Sequence, residues 1–222
     1  MDAHITNEPA RARTDTRVLD SSPYTGAAPA VRESAVRRAG IGLMAGSLTW
    51  ATAIYIHGTQ GVGVGERIID LTGLAFQLGI FCLLWAQMRT RAIGTSRGAA
   101  VALKLEAAVL GLASVWSLLH GVLPDDVKDA TWLAFLDICW PLSMLGMAAI
   151  SVKLAVTARW RGVLRWWPLL AESWAVVTVP CYLLVGEQLA RWVGATHLVI
   201  GYAALGLLMA LRPSATLFSR PS

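Results

Sequence analysis

Three histidines and three carboxylates, His57, His120, His197, Asp70, Asp137 and Glu172, lie inside or at the ends of long apolar stretches, where ionisable groups are rare. Imidazole and carboxylate together are the donors that a zinc, iron or copper centre, a haem ligand pair or a proton relay needs. All six residues are therefore candidates for a ligand site or a relay, and His57, His120 and His197 are the candidate set for a metal. No HExxH or HxxxH spacing occurs, so no catalytic residue and no cofactor is assigned by motif. A plainer interpretation competes with the chemical one. His57, His120 and Asp70 fall at the edge of the apolar stretches, where water reaches a polar side chain and its cost is small. His197 and Asp137 lie deeper, and a hydrogen bond between them would satisfy both without a metal. Glu172 lies about two turns into its stretch, with Lys153 or Lys104 as the expected partner and proton coupling as the alternative role.

The elements that must position these groups are six apolar stretches, at 39–57, 68–88, 99–119, 131–157, 166–185 and 189–211. A hydrocarbon core of roughly 30 Å takes roughly 20 helical residues to cross, and each stretch is close to that length. Only 15% of the 222 residues are charged and 55% are hydrophobic, with mean hydropathy +0.55. Too little polar surface remains to cover a water-facing globule. The expected fold is an all-α polytopic transmembrane bundle of six spans. Short gaps make sequential helices antiparallel neighbours. Residues 1–38 are expected as a disordered cytoplasmic tail, 39–211 as the transmembrane domain, and 212–222 as a short cytoplasmic tail.

Basic residues set the expected orientation. The first tail holds six Arg, the gap after the second span Arg89, Arg91 and Arg97, and the gap after the fourth Arg159, Arg161 and Arg165. The other three gaps hold one base each, Arg67, Lys128 and Arg191. The positive-inside rule then places both termini in the cytoplasm and all three histidines, with Asp70 and Asp137, towards the outer face. Trp85, Trp160, Trp166 and Trp167 fall at the inner border and Trp132 and Trp192 at the outer one. An aromatic belt accounts for that placement, with a Trp-lined ligand cage as the alternative.

The +5 charge and pI near 9.5 come from bases beside apolar spans. Lipid headgroups and topology account for them, and nucleic-acid binding is not expected. Arg37-Arg38 before an apolar run ending in Ala51-Thr52-Ala53 has the outline of a cleavable twin-arginine signal, but the run continues through Ile56, so a retained first span is expected. Gly42 and Gly46 form a GxxxG, used for packing within the chain or for a homodimer. Pro141 and Pro180 are expected to kink the fourth and fifth spans, freeing carbonyls near Ile138 and Val176. Cys82, Cys139 and Cys181 lack metal or redox spacing, and Gly61, Gly63 and Gly65 are expected as a flexible turn.

In layout, over residues 40–211, the chain resembles the small uncharacterised six-span integral membrane proteins of GC-rich bacteria. The resemblance carries over no functional residue. What it implies is a multi-pass protein of the bacterial inner membrane. The expectation is a non-enzymatic accessory or small-ligand-binding component with an outward His/Asp cluster. A proton- or ion-coupled transporter or channel subunit, and an intramembrane metal or haem protein, are the alternatives. The lipid bilayer is the partner that composition specifies; protein partners are left unspecified.

Overall fold

Helices follow one another through the whole computed structural model, which describes residues 31–59, 63–128 and 130–217. The first three spans are single helices, α1 (Glu33–His57), α2 (Val64–Thr90) and α3 (Arg97–Val122). A one-turn helix, α4 (Asp125–Lys128), lies in the third gap. The fourth span is divided into α5 (Thr131–Asp137) and α6 (Cys139–Thr157), and the fifth into α7 (Trp167–Glu172) and α8 (Trp174–Val185). The sixth runs as α9 (Glu187–Leu198), a π-helical turn (Val199–Ala203) and α10 (Ala204–Leu211). The six spans are 19 to 27 residues long. At 1.5 Å per residue that is about 28 to 40 Å, enough to cross a bilayer.

Burial runs opposite to that of a water-soluble protein. Leu78, Leu105, Leu145, Val156 and Leu183 lie on the outer surface, while Gln77, Gln87, Glu106, Ser117, Ser143, Glu172 and Thr178 are buried. Lipid accepts apolar side chains and offers polar ones no partner, so polar groups turn inward, where Gln77 bonds Ser117 and Ser143 bonds Glu106. The chain is a six-span helical membrane protein.

α1 sits at the centre of one wall, against α2 on one side and α9, the π turn and α10 on the other. Beyond α2 come α3 and then α6; α8 packs on α9, and α6 meets α7 to close the ring. Glycines set the closest approaches. A Cβ on Gly206 would lie 2.5 Å from the Gly40 carbonyl, and one on Gly40 equally near the Gly206 carbonyl. Gly46 abuts the Ala75 backbone and Gly42 abuts Cys82, so the GxxxG of α1 seats α2 within the chain.

One end of the bundle carries His57 and His120, and is called the histidine end below; the other carries Arg89, Arg91, Arg161 and Arg165, and is the arginine end. α1 starts at Glu33, so residues 33–38 join the first span as helix rather than the tail; Val36 is fully buried and extends its core face. Residues 1–30, which hold most of the expected disordered tail, lie outside the described residues. So do Gly61 and residues 218–222. Gly65 belongs to α2 rather than to a turn. The fourth span breaks at Ile138, as Pro141 foretells: proline has no N–H to offer the Asp137 carbonyl. The fifth breaks at Ser173 instead of Pro180, which α8 absorbs without interruption. Trp160, expected in the border belt, is fully buried, and its indole donates to Thr90 Oγ1 at 3.0 Å.

Candidate functional site

Three faces with helical spacing converge at the histidine end. On α2, Glu66, Asp70 and Gly73 share a stripe; on α3, Trp116, Ser117 and His120 do; on α8, Trp174, Thr178 and Tyr182 stand four residues apart. With Trp50 from α1, Asp137 closing α5 and Trp140 opening α6, they line a cavity of about 500 Å³. That falls inside the roughly 300–1,000 Å³ typical of small-molecule sites. The break at Ile138 places a carboxylate and an indole on either side of one interrupted turn.

Indoles form the floor. Trp50 lies 5.4 Å from Trp174 and 6.1 Å from Trp140 between ring centroids, and Trp140 meets Trp174 edge-on at 6.0 Å. Trp174 donates its N–H to the Gly194 carbonyl at 2.8 Å. Trp50 Nε1 and Thr178 Oγ1 are buried and have no hydrogen-bond partner among the described residues. An orphaned buried donor or hydroxyl costs about 1–3 kcal/mol unless something in the cavity completes it.

Carboxylates line the wall. Asp70 Oδ2 accepts from His120 Nδ1 at 2.7 Å, and the imidazole stacks on Trp116 at 4.8 Å with a 19° interplanar angle. The carboxylate thus holds the ring by one nitrogen and turns Nε2 away from itself. Glu66 is held by Lys128 Nζ at 3.2 Å. Asp137 makes no hydrogen bond or ion pair among the described residues, and interacts electrostatically with His120. Above them, α4 is tied to α2 by the Arg67–Asp125 bridge at 3.0 Å. The guanidinium beside Asp125 holds that exposed carboxyl below its ordinary value. On the same rim, the Thr59 backbone N–H and hydroxyl both donate to the Glu187 carboxylate, joining the end of α1 to the start of α9.

The six candidate residues separate into four places. Asp70, His120 and Asp137 share the cavity. His57 is exposed at the end of α1, beside Gly65. His197 faces a different groove, between α7 and α9, and its Nε2 lies 3.0 Å from Ser173 Oγ. The His197–Asp137 bond does not form: the two side chains line different spaces, and His197 meets Ser173 at the break in the fifth span. Among the described residues no three His, Cys, Asp or Glu side chains are grouped to hold a metal ion, and the three histidines do not share one site. Glu172 pairs with neither lysine. Its Oε2 accepts from the Tyr202 hydroxyl at 2.7 Å, since the π turn and the close seat of Gly201 on Ala171 bring Tyr202 inward. Lys104 and Lys153 remain exposed.

The cavity's tryptophans were not singled out from the sequence. A signal was there for three of the four: Trp50, Trp140 and Trp174 lie well inside spans, away from the borders where a belt would put them, whereas Trp116 lies near the end of its span. No family model matches the chain, and no curated protein or solved structure is significantly similar to it.

Proposed function

We propose that the protein is a small-ligand-binding component of the bacterial inner membrane, with both termini cytoplasmic, whose cavity opens outward and takes a small organic cation. One observation carries this reading: four indoles and three carboxylates, with His120 the sole basic side chain among the lining residues, face one cavity of ligand size. Indole faces attract ammonium groups by their quadrupole, at about 0.5–2 kcal/mol per ring when desolvated. The carboxylates of the wall supply the charge, and Asp137 has no hydrogen bond or ion pair among the described residues. The unmatched Trp50 N–H calls for a ligand acceptor atom, as in an amino alcohol, beside the cationic head. The six-span layout and the arginine distribution support the membrane and the orientation.

The reading is a binding role: His120 Nδ1 is engaged by Asp70, and the indoles and carboxylates suit the holding of a cation. Choline serves as the test ligand for the full chain in detergent, with tryptophan fluorescence as the readout. Saturable quenching by choline, much weaker with its uncharged carbon analogue 3,3-dimethylbutan-1-ol at equal concentration, is expected. Equal responses to both compounds, or none to either, would sink the proposal.

A further inference from the structure

A second set of polar groups lies in the middle of the bundle, apart from the cation cavity. Gln77, Ser143, Glu172 and Tyr202 line a void of about 20 Å³, together with apolar neighbours that include Trp140. Two acceptors on its wall, Gln77 Oε1 and Glu172 Oε1, are buried and unmatched among the described residues. Gln77 and Glu172 are 2% and 5% exposed. A water needs about 10–15 Å³ and two or more polar partners, so one fits this void and the two acceptors would partner it.

This void lies between two larger openings. Towards the histidine end, Gln77 Nε2 donates to Ser117 Oγ at 3.0 Å, and Ser117 lines the cation cavity. Trp140 lines both spaces and forms the rest of the partition. Towards the arginine end, Ser143 Oγ donates to Glu106 Oε1 at 2.6 Å. Glu106, buried on α3, in turn lines a groove of about 750 Å³ shared with Ser96, Gly98 and Lys153. Gly146 on α6 makes room for the Glu106 carboxylate, which occupies the place a Cβ would take. Tyr202 and Glu106 are the titratable groups facing Glu172; Glu172 and, across the groove, Lys153 are those facing Glu106.

We propose that Glu172 and Glu106, bridged by Ser143 and one water, form a proton relay joining the histidine-end cavity to the arginine-end groove. Gln77 is an amide and hands on no proton, so a proton crosses the partition beside Ser117 on a water molecule that enters from the cavity; the bridging water takes it up, and Glu172 Oε1 accepts one from that water and returns it. The water passes a proton to Ser143 Oγ as Ser143 gives its own to Glu106 Oε1. Glu106 releases that proton to the groove, so each group takes one and returns one. Buried carboxyls at mid-membrane depth are costly to keep unless they serve such a path. The relay does not depend on what the cavity binds.

The test uses the full chain reconstituted in liposomes that hold a pH-sensitive dye, with a potassium diffusion potential driving protons inward. The expected result is lumenal acidification faster than in protein-free liposomes, lost to the protein-free rate in both Glu172→Gln and Glu106→Gln. Asp125→Asn, at the exposed rim, keeps the wild-type rate. No flux from the wild-type chain overturns the relay, as does wild-type flux in the two glutamine variants. Should either variant not elute as the wild type does, Ser143→Ala decides: reduced flux supports the relay and unchanged flux overturns it. Choline quenching measured on the same preparations keeps the two proposals apart, since either can fail while the other stands.

Discussion

Replacing Asp137 by Asn removes a charge while leaving the volume of the cavity wall almost unchanged. Asp137 has no ion pair or hydrogen bond among the described residues that the change would break, and it sits beside Trp140 on the cavity lining. A cation held at about 5 Å from the carboxylate gains about 3.3 kcal/mol at an effective dielectric of about 20, and about 0.8 kcal/mol in bulk water. The cavity is open at one end, so the value lies between these limits, near about 1.5–2 kcal/mol. Asp137→Asn should therefore weaken choline binding by about 10- to 30-fold. Titrations followed by tryptophan fluorescence measure it, with 3,3-dimethylbutan-1-ol as the uncharged control. The ring contacts of the two compounds are alike in shape, so the substitution should act on choline and leave the control's weak affinity alone. Two results refute the reasoning: an unchanged choline affinity, or an equal loss for both compounds, which would mark a structural effect in place of an electrostatic one.

Gly206→Leu drives a side chain into the Gly40 carbonyl, which an added Cβ would approach to 2.5 Å, so α1 and α10 must separate. A loss of about 1–3 kcal/mol or more is expected, read as a lower melting temperature in detergent, whereas Leu207→Ala on the exposed face should change little. The Arg67–Asp125 bridge lowers the Asp125 pKa, so its contribution is complete above the ordinary value of 3.8 and is lost as pH falls through the lowered one. Asp125→Asn at neutral pH, or a high-salt buffer, should accordingly speed hydrogen exchange in α4, and equal rates in all conditions would count against the clamp. Single cysteines replacing Arg91 or Arg161, in a background freed of Cys82, Cys139 and Cys181, should resist a membrane-impermeant thiol reagent in intact cells, while one at Asp126 should react. Labelling of the arginine positions would invert the proposed orientation.

Much of the site was visible as residue types and little of it as geometry. Asp70, His120 and Asp137 were candidates from the sequence and do meet in one cavity. His57 and His197 were candidates on equal grounds and lie elsewhere, because a histidine's depth along a span says nothing about which way its helix is turned. Glu172 stood out as a buried carboxylate, but its partner, Tyr202, depends on an extra residue in the π turn that no spacing rule reports. Glu106 was not among the candidates read from the sequence. It proves to be the buried acid, held by Ser143 across the bundle.

The division has a simple physical cause. Whether a stretch enters lipid depends on a sum over its own residues, so six spans and their approximate limits follow from local composition alone. The rotation of each helix, and the order α6, α3, α2, α1, α9–α10 around the ring, depend on how surfaces from distant parts of the chain fit. Gly40 against Gly206 and Gly46 against Ala75 are such fits. Those non-local contacts alone decide that four indoles and three carboxylates face a common space.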